Sequence, residues 1–278
     1  MISFDFEYYR PSTLDEAVNT FAELDAQGKK PVYYSGGTEI ITMARLNQVY
    51  TGAVVDIKEI PECGVLKLDN DMFISGSAVT LSNIRESNLF PLLSDVIRTA
   101  SDHTTRNKIT LGGNICSAIP YRETALPFLL CDSEIVTAGP GGLKCRKFTD
   151  VFNERIKLEK GELIVQIKTP GRYMSLPFEF IRKTRQDYVD YPMLSITSVI
   201  DKNLVKIAFS GLCAFPFRSL KIEKELENFS TDPEAAIDKV VENIPAPILE
   251  DIRGSARYRE FVLRKTMSDL IKRIGGVH

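Results

Sequence analysis

Two glycine pairs, each set directly after a β-like run, constrain this chain more than any other feature. Gly36 and Gly37 follow "PVYYS" and precede a helical pattern; Gly112 and Gly113 follow "ITL" and precede Asn114. A glycine pair at the end of a strand lets the backbone take positive φ and removes side chains that would block a ligand. Successive backbone N–H groups can then point into one concavity and hold an anion. Where a helix follows, as after Ser35-Gly36-Gly37-Thr38, its free N-terminal donors and its dipole add to the attraction. Neither stretch matches G-x-G-x-x-G or G-x-x-x-x-G-K-[ST], which excludes a simple Rossmann or P-loop site. Two such loops in one chain point to a cofactor that contains a diphosphate.

The remaining pattern supplies an α/β frame for those loops. In residues 1–57, "RPSTLDEAVNTFAELDAQG" reads as a helix with Ser12 or Thr13 as N-cap, Asp15 and Glu16 as a capping box, and Gly28 at its end. "PVYY" and "AVVDI" read as short strands around a second helix, making a first lobe. Residues 58–170 read as a second, mixed lobe. It holds a hairpin turning at Asp69-Asn70-Asp71, helices in "TLSNIRES", "FPLLSDVIRTASD" and "ETALPFLLCD", and strands in "EIVTAG" and "LIVQIKT". "ITLGGNI" reads as a strand entering a loop. Residues 171–278 read as a C-terminal domain of three antiparallel strands, turning once at Asn203, followed by three helices. The fold class expected is therefore α+β.

Composition removes several classes of function. The 37 acidic and 35 basic residues leave a formal charge of −2, mixed along the chain, which argues against a nucleic-acid partner. No apolar run approaches the roughly 20 residues of a membrane helix, and the start has no signal pattern, so a cytoplasmic protein without a membrane role is expected. Cys63, Cys116, Cys131, Cys145 and Cys213 show no metal-like spacing, and His103 and His278 lie far apart. No bound metal is expected on this chain, and a Cys–His nucleophilic pair would have His103 as its one base.

The two loops also carry a family resemblance. "YYSGGTEIITMARL" resembles the first flavin-loop motif of the medium, FAD-binding subunits of the xanthine dehydrogenase and carbon monoxide dehydrogenase family of molybdenum hydroxylases. "TTRNKITLGGNICSAIP" resembles their second motif. The likeness continues through "GPGGLKCRKFTDVF" and "GELIVQIKTP" to the closing helix "SARYREFVLRKTMSDLI", nearly the whole chain. It implies a two-lobed FAD-binding domain of the vanillyl-alcohol-oxidase (PCMH) type plus a C-terminal flavoprotein domain. It implies FAD as cofactor, and partners that carry iron–sulfur clusters and molybdopterin. Electrons would pass from the clusters via FAD to NAD or another acceptor. Xanthine or another purine is the expected substrate, with an aromatic heterocycle such as nicotinate, an aldehyde or carbon monoxide as alternatives. It would be oxidised on the large partner subunit, so the resemblance implies no catalytic acid, base or nucleophile on this chain. The alternative from another class is a stand-alone flavin oxidoreductase acting directly on a small molecule. A third is a non-enzymatic interaction module whose glycine pairs are turns.

The resemblance also assigns roles. Ser35, Gly36, Gly37, Thr38, Glu39 and Ile40 take the pyrophosphate from the first loop, and Thr110, Gly112, Gly113 and Asn114 hold the pyrophosphate and ribose side from the second. The family has an aspartate three residues after the proline of the second motif. Here Glu123 follows Pro120, and it either accepts from an FAD hydroxyl or caps the helix starting at Thr124. Tyr191, in "DYPMLS", aligns near the isoalloxazine, with Tyr188 as rival and a plain core role as the alternative. Lys183 either places a positive charge near the flavin or is a solvated lysine at a strand end.

Overall fold

The computed structural model describes residues 1–186, 190–202, 204–228 and 232–275. Tyr188, Asn203 and His278 lie outside the described residues. The chain divides into two compact units, neither continuous in sequence. The first comprises Met1–Phe90, Asp102–Ser117 and Asp132–Gly171; the second comprises Pro91–Ser101, Ala118–Cys131 and Arg172–His278.

The chain opens with β1 (Glu7–Tyr9), α1 (Leu14–Ala26), β2 (Val32–Tyr34), α2 (Thr38–Arg45) and β3 (Ala53–Asp56). The strands form a parallel sheet in the order β1-β3-β2. α1 starts where the Thr13 hydroxyl accepts from the Glu16 N–H and the Glu16 carboxylate accepts from the Ser12 N–H. It stops at Gly28, whose φ of +75° few other residues tolerate. Its inward face, Ala17 and Leu24, packs on Ala53, Val55 and Ile57.

A hairpin of β4 (Leu66–Asp69) and β5 (Met72–Gly76) follows, turned by Asn70 and Asp71, both at positive φ. Then come α3 (Leu81–Ser87), α4 (Pro91–Arg98), α5 (His103–Arg106), α6 (Leu111–Cys116) and α7 (Ala125–Leu130). β6 (Glu134–Gly139), β7 (Gly142–Lys147), α8 (Phe148–Val151), β8 (Phe152–Asn153), β9 (Arg155–Ile156) and β10 (Leu163–Pro170) complete this part. β4, β5, β10, β6 and β7 form an antiparallel sheet in that order. One expectation fails here: "ITLGGNI" is not a strand running into a loop. Thr110 makes only an isolated bridge to Thr80 and then caps the short helix α6, so both glycines are helical.

The second unit is built on β11 (Phe178–Thr184), β12 (Pro192–Asp201), β13 (Leu204–Ser210) and β14 (Phe217–Arg218), antiparallel in that order. The three expected strands are thus joined by a fourth of two residues, paired to Ala208 and Phe209. α9 (Leu220–Glu225), α10 (Pro233–Glu242) and α11 (Ala256–Gly275) follow. One face of the sheet, with Ile181, Leu194, Ile196, Ile207 and Phe209, packs on Ile237 and Val240 of α10 and on Leu263, Met267 and Leu270 of α11. α7 packs on β12, β13 and β14. All six of its residues, Ala125, Leu126, Pro127, Phe128, Leu129 and Leu130, are buried.

Candidate functional site

The first glycine pair turns the chain from β2 into α2, at the C-terminal end of a parallel sheet, where such sheets hold ligands. Gly37 is the N-cap of α2, with φ +73°, and has no side chain to occupy the helix's free donors. Gly36 is required for a different reason. A Cβ there would lie 2.0 Å from the Lys108 carbonyl oxygen, so the approach to the second loop runs directly against the first. Among the described residues, the backbone N–H groups of Gly36, Gly37 and Thr38 find no acceptor. Two side-chain pairs tie the stretches together: Ser35 Oγ lies 2.7 Å from Thr110 Oγ1, and Ser117 Oγ donates to Glu39 Oε2. Ile40 is part-buried in the first turn of α2.

The second pair is organised differently. Leu111 donates its N–H to Val79 O at 2.9 Å, Gly112 to Ser77 O at 2.8 Å and Asn114 to Thr110 O at 2.9 Å. Gly113 donates to Thr110 Oγ1 at 3.3 Å. Neither glycine takes positive φ. The expected row of free donors is therefore absent here, because the cap at Thr110 and the strand-like bonds to 77–79 use them. Gly112 is a packing glycine: a Cβ on it would sit 2.6 Å from Ser77 Cβ. Gly113 is exposed, and a Cβ there would press only on the Thr110 hydroxyl, at 2.9 Å. Asn114 is part-buried in the same turn. Three free backbone donors, a hydroxyl pair and the exposed Gly113, which carries no side chain, fit the oxygens of a diphosphate.

Four residues of this region escaped the sequence reading. Asp56 ends β3 fully buried, accepting from Tyr8 Oη at 2.5 Å and from Lys58 Nζ at 2.5 Å. Lys58 Nζ also donates to Ser35 O at 3.1 Å and lies 4.7 Å over the Tyr34 ring. The hydrogen bond to Asp56 pushes the Tyr8 phenol up to about 12. The one available signal was an acid closing the apolar run "AVVD".

In the second unit, Glu123 is buried. Its carboxylate accepts from Arg182 Nε at 3.1 and 3.2 Å and from Ser195 Oγ. Burial pushes this carboxyl up, against the opposing pull of Arg182 and Ser195. It is not the helix cap: Thr124 holds that position, with no side-chain cap bond. Tyr191 is 44% exposed and stacks on Tyr121, ring centroids 4.9 Å apart. The Arg253 guanidinium lies 5.0 Å from the Tyr191 centroid and 5.5 Å from that of Tyr121. Tyr121 Oη donates to Asp251 at 2.9 Å. Burial works against the Asp251 carboxylate, but hydrogen bonds from the Arg253 N–H, Tyr121 and Arg259 hold it below its usual range. Arg182 Nη2 donates to Asp190 O at 2.6 Å, and Arg253 Nε lies 3.4 Å from Asp190 Oδ1, so Glu123 and Tyr191 belong to one polar network. Lys183 stands apart from it, exposed near the end of β11 opposite Leu194. Among the described residues no group of His, Cys, Asp or Glu is placed to hold a metal ion, and no helix is long and apolar enough to cross a membrane.

Residues 4–172 match the family described as the FAD binding domain in molybdopterin dehydrogenase. The glyceraldehyde dehydrogenase medium chain of Sulfolobus acidocaldarius is 25% identical over 276 residues, covering 94% of this chain and 95% of its own. The caffeine dehydrogenase subunit beta of a Pseudomonas species is 24% identical, covering 80% of this chain and 78% of its own. Among solved structures, a chain of carbon monoxide dehydrogenase from Hydrogenophaga pseudoflava superposes with a TM-score of 0.86 at 21% identity, covering 96% of each chain.

Proposed function

The chain belongs to the family of FAD-binding domains of molybdopterin dehydrogenases, and from that premise we propose that it carries electrons between iron–sulfur clusters on a partner chain and NAD or another acceptor. It is an FAD-binding subunit of an oxidoreductase, and in our reading the other subunits of its assembly hold iron–sulfur clusters and molybdopterin. FAD, when bound, supplies the redox chemistry. The chain's own residues bind and orient the cofactor.

The observation that supports this placement best is the set of free N–H groups at Gly36, Gly37 and Thr38 beside the Ser35–Thr110 hydroxyl pair. In our reading Ser35 to Ile40 take the diphosphate at the start of α2. The second stretch contributes the Thr110 hydroxyl, the Asn114 side chain and the bare backbone of Gly113, with Gly112 packing the turn behind them. Residues 1–57 and 58–170 are the two lobes of the flavin domain, and 171–278 is the C-terminal domain. Glu123 takes part as a buried acceptor: each carboxylate oxygen has two lone pairs, which leaves capacity beyond Arg182 and Ser195. The exposed ring of Tyr191 suits stacking on a flat aromatic system. Lys183 adds positive charge at a strand end.

For the substrate we favour a purine, supported by the relative named for caffeine. Its binding pocket would lie on the large partner subunit. Affinity purification from the native host, followed by flavin identification, metal analysis and assays with xanthine and nicotinate, tests the proposal. Stoichiometric FAD, co-purifying iron and molybdenum, and xanthine oxidation are expected. Turnover of a small molecule by the chain without metal-bearing partners would favour a stand-alone oxidoreductase instead.

A further inference from the structure

Asp56, Lys58 and Ser35 form a chain of contacts that ends on the first glycine loop. Asp56 closes the central strand of the parallel sheet and is fully buried, so its position is fixed by the sheet. It takes the Lys58 backbone N–H on Oδ1 at 3.0 Å and the Lys58 ammonium on Oδ2 at 2.5 Å. A second donor of the same ammonium reaches the Ser35 carbonyl at 3.1 Å. Tyr34 lies beneath the cation, and its hydroxyl stands where a Cβ on Gly37 would be, 2.3 Å away. The lysine is thus held from below and spends its remaining capacity on one peptide group of the loop.

That peptide is Ser35–Gly36. In a trans peptide the carbonyl and the following N–H point to opposite sides, and no described peptide is cis. A Ser35 carbonyl held on Lys58 therefore turns the Gly36 N–H away from the lysine. Glycine on the far side of this peptide, and again at Gly37, leaves the backbone free to rotate, since neither residue has a Cβ to resist. Packing on Lys108 and Tyr34 and the Ser35–Thr110 hydroxyl pair limit where the loop lies, while the Lys58 ammonium is the donor that holds the Ser35 carbonyl itself. We propose that Lys58 is a positioning residue for anion binding: fixed by the buried Asp56, it locks the Ser35–Gly36 peptide so that the Gly36 N–H faces the diphosphate. This rests on the reading of the first loop as the diphosphate site.

The test is equilibrium titration of the full-length apoprotein with FAD, comparing wild type, K58M, K58R and the double variant D56N/K58M. K58M should weaken FAD about tenfold, the scale of one lost hydrogen bond to a charged donor. K58R keeps a cation within reach of both partners and should recover affinity to within about threefold of wild type. The double variant removes the carboxylate that K58M leaves without its counter-ion. It should remain as weak as K58M. Wild-type affinity in K58M, or its return in D56N/K58M, overturns the role of Lys58 and leaves the loop assignment standing. A wild-type chain that folds but takes up no FAD overturns both.

Discussion

The two glycine pairs look alike in sequence and differ in what they offer. At Gly36-Gly37 the backbone donors are open, and one residue sits at φ +73°. At Gly112-Gly113 every donor from Leu111 to Asn114 is engaged, and the chain is helical. The first pair packs closely on Lys108 and Tyr34 and still leaves its donors open; the second is a close-packed turn, its donors spent, that brings Thr110 against Ser35. The lesson is that a glycine can be required for what its N–H presents or for what its missing Cβ permits. Only the positions of the neighbours tell which.

Four experiments put that contrast to the test. Gly36→Val should have the largest effect, because its side chain meets the Lys108 backbone carbonyl, which cannot rotate aside. A stability loss of at least about 3 kcal/mol is expected, together with loss of bound FAD. A melting point and flavin content like wild type would show that the two stretches are not pressed together. Gly112→Ala should cost about 2 kcal/mol through its clash with Ser77, yet leave the folded fraction's FAD affinity within about threefold. A large loss of affinity without a loss of stability would move Gly112 from packing to binding.

Gly113→Val should do the reverse. The position is exposed and not at positive φ, so its stability loss should be the smallest of the three, confined to shifting the Thr110 hydroxyl that a Cβ would meet at 2.9 Å, while the covered backbone weakens FAD by roughly tenfold, about 1.4 kcal/mol. Unchanged affinity would remove Gly113 from the site. The mildest test perturbs nothing: amide exchange with and without FAD. The amides of Gly36 to Thr38 should exchange quickly in the apoprotein and slow several-fold on binding, whereas those of Gly112 and Asn114 should be protected in both states. The opposite pattern would reverse the roles of the two loops.

What the sequence showed clearly was whatever depends on neighbours within a few residues. The Thr13–Glu16 cap and the Asn70-Asp71 turn are local chemistry and were readable as such. So was the helical start after Gly37. The order of the two loop motifs pointed to the flavin domain, and the family match covers both loops. What stayed hidden depends on distant partners. Gly112 is helical because Thr110 caps and Ser77 accepts, a register set by contacts across some 35 residues. Glu123 looked like a helix cap or a free acceptor because Arg182 and Ser195 lie 59 and 72 residues away. The fourth strand, Phe217–Arg218, is too short to leave a periodic signal. Lys58 reads as one more surface lysine until Asp56 is seen to be buried beneath it.

The placement of α7 has a consequence for how this protein is made. Its six residues are buried in the unit that includes β12, β13 and β14, yet they leave the ribosome about 80 residues before Ser210 completes β13. At roughly 5–20 residues per second, the segment waits several seconds with its apolar surface uncovered. During that interval "ALPFLL" is a natural target for a holdase or for self-association. Slowing translation between residues 131 and 210 should raise the aggregated fraction of new chains, and polar gatekeepers cannot be placed inside α7 without losing the packing it exists to make.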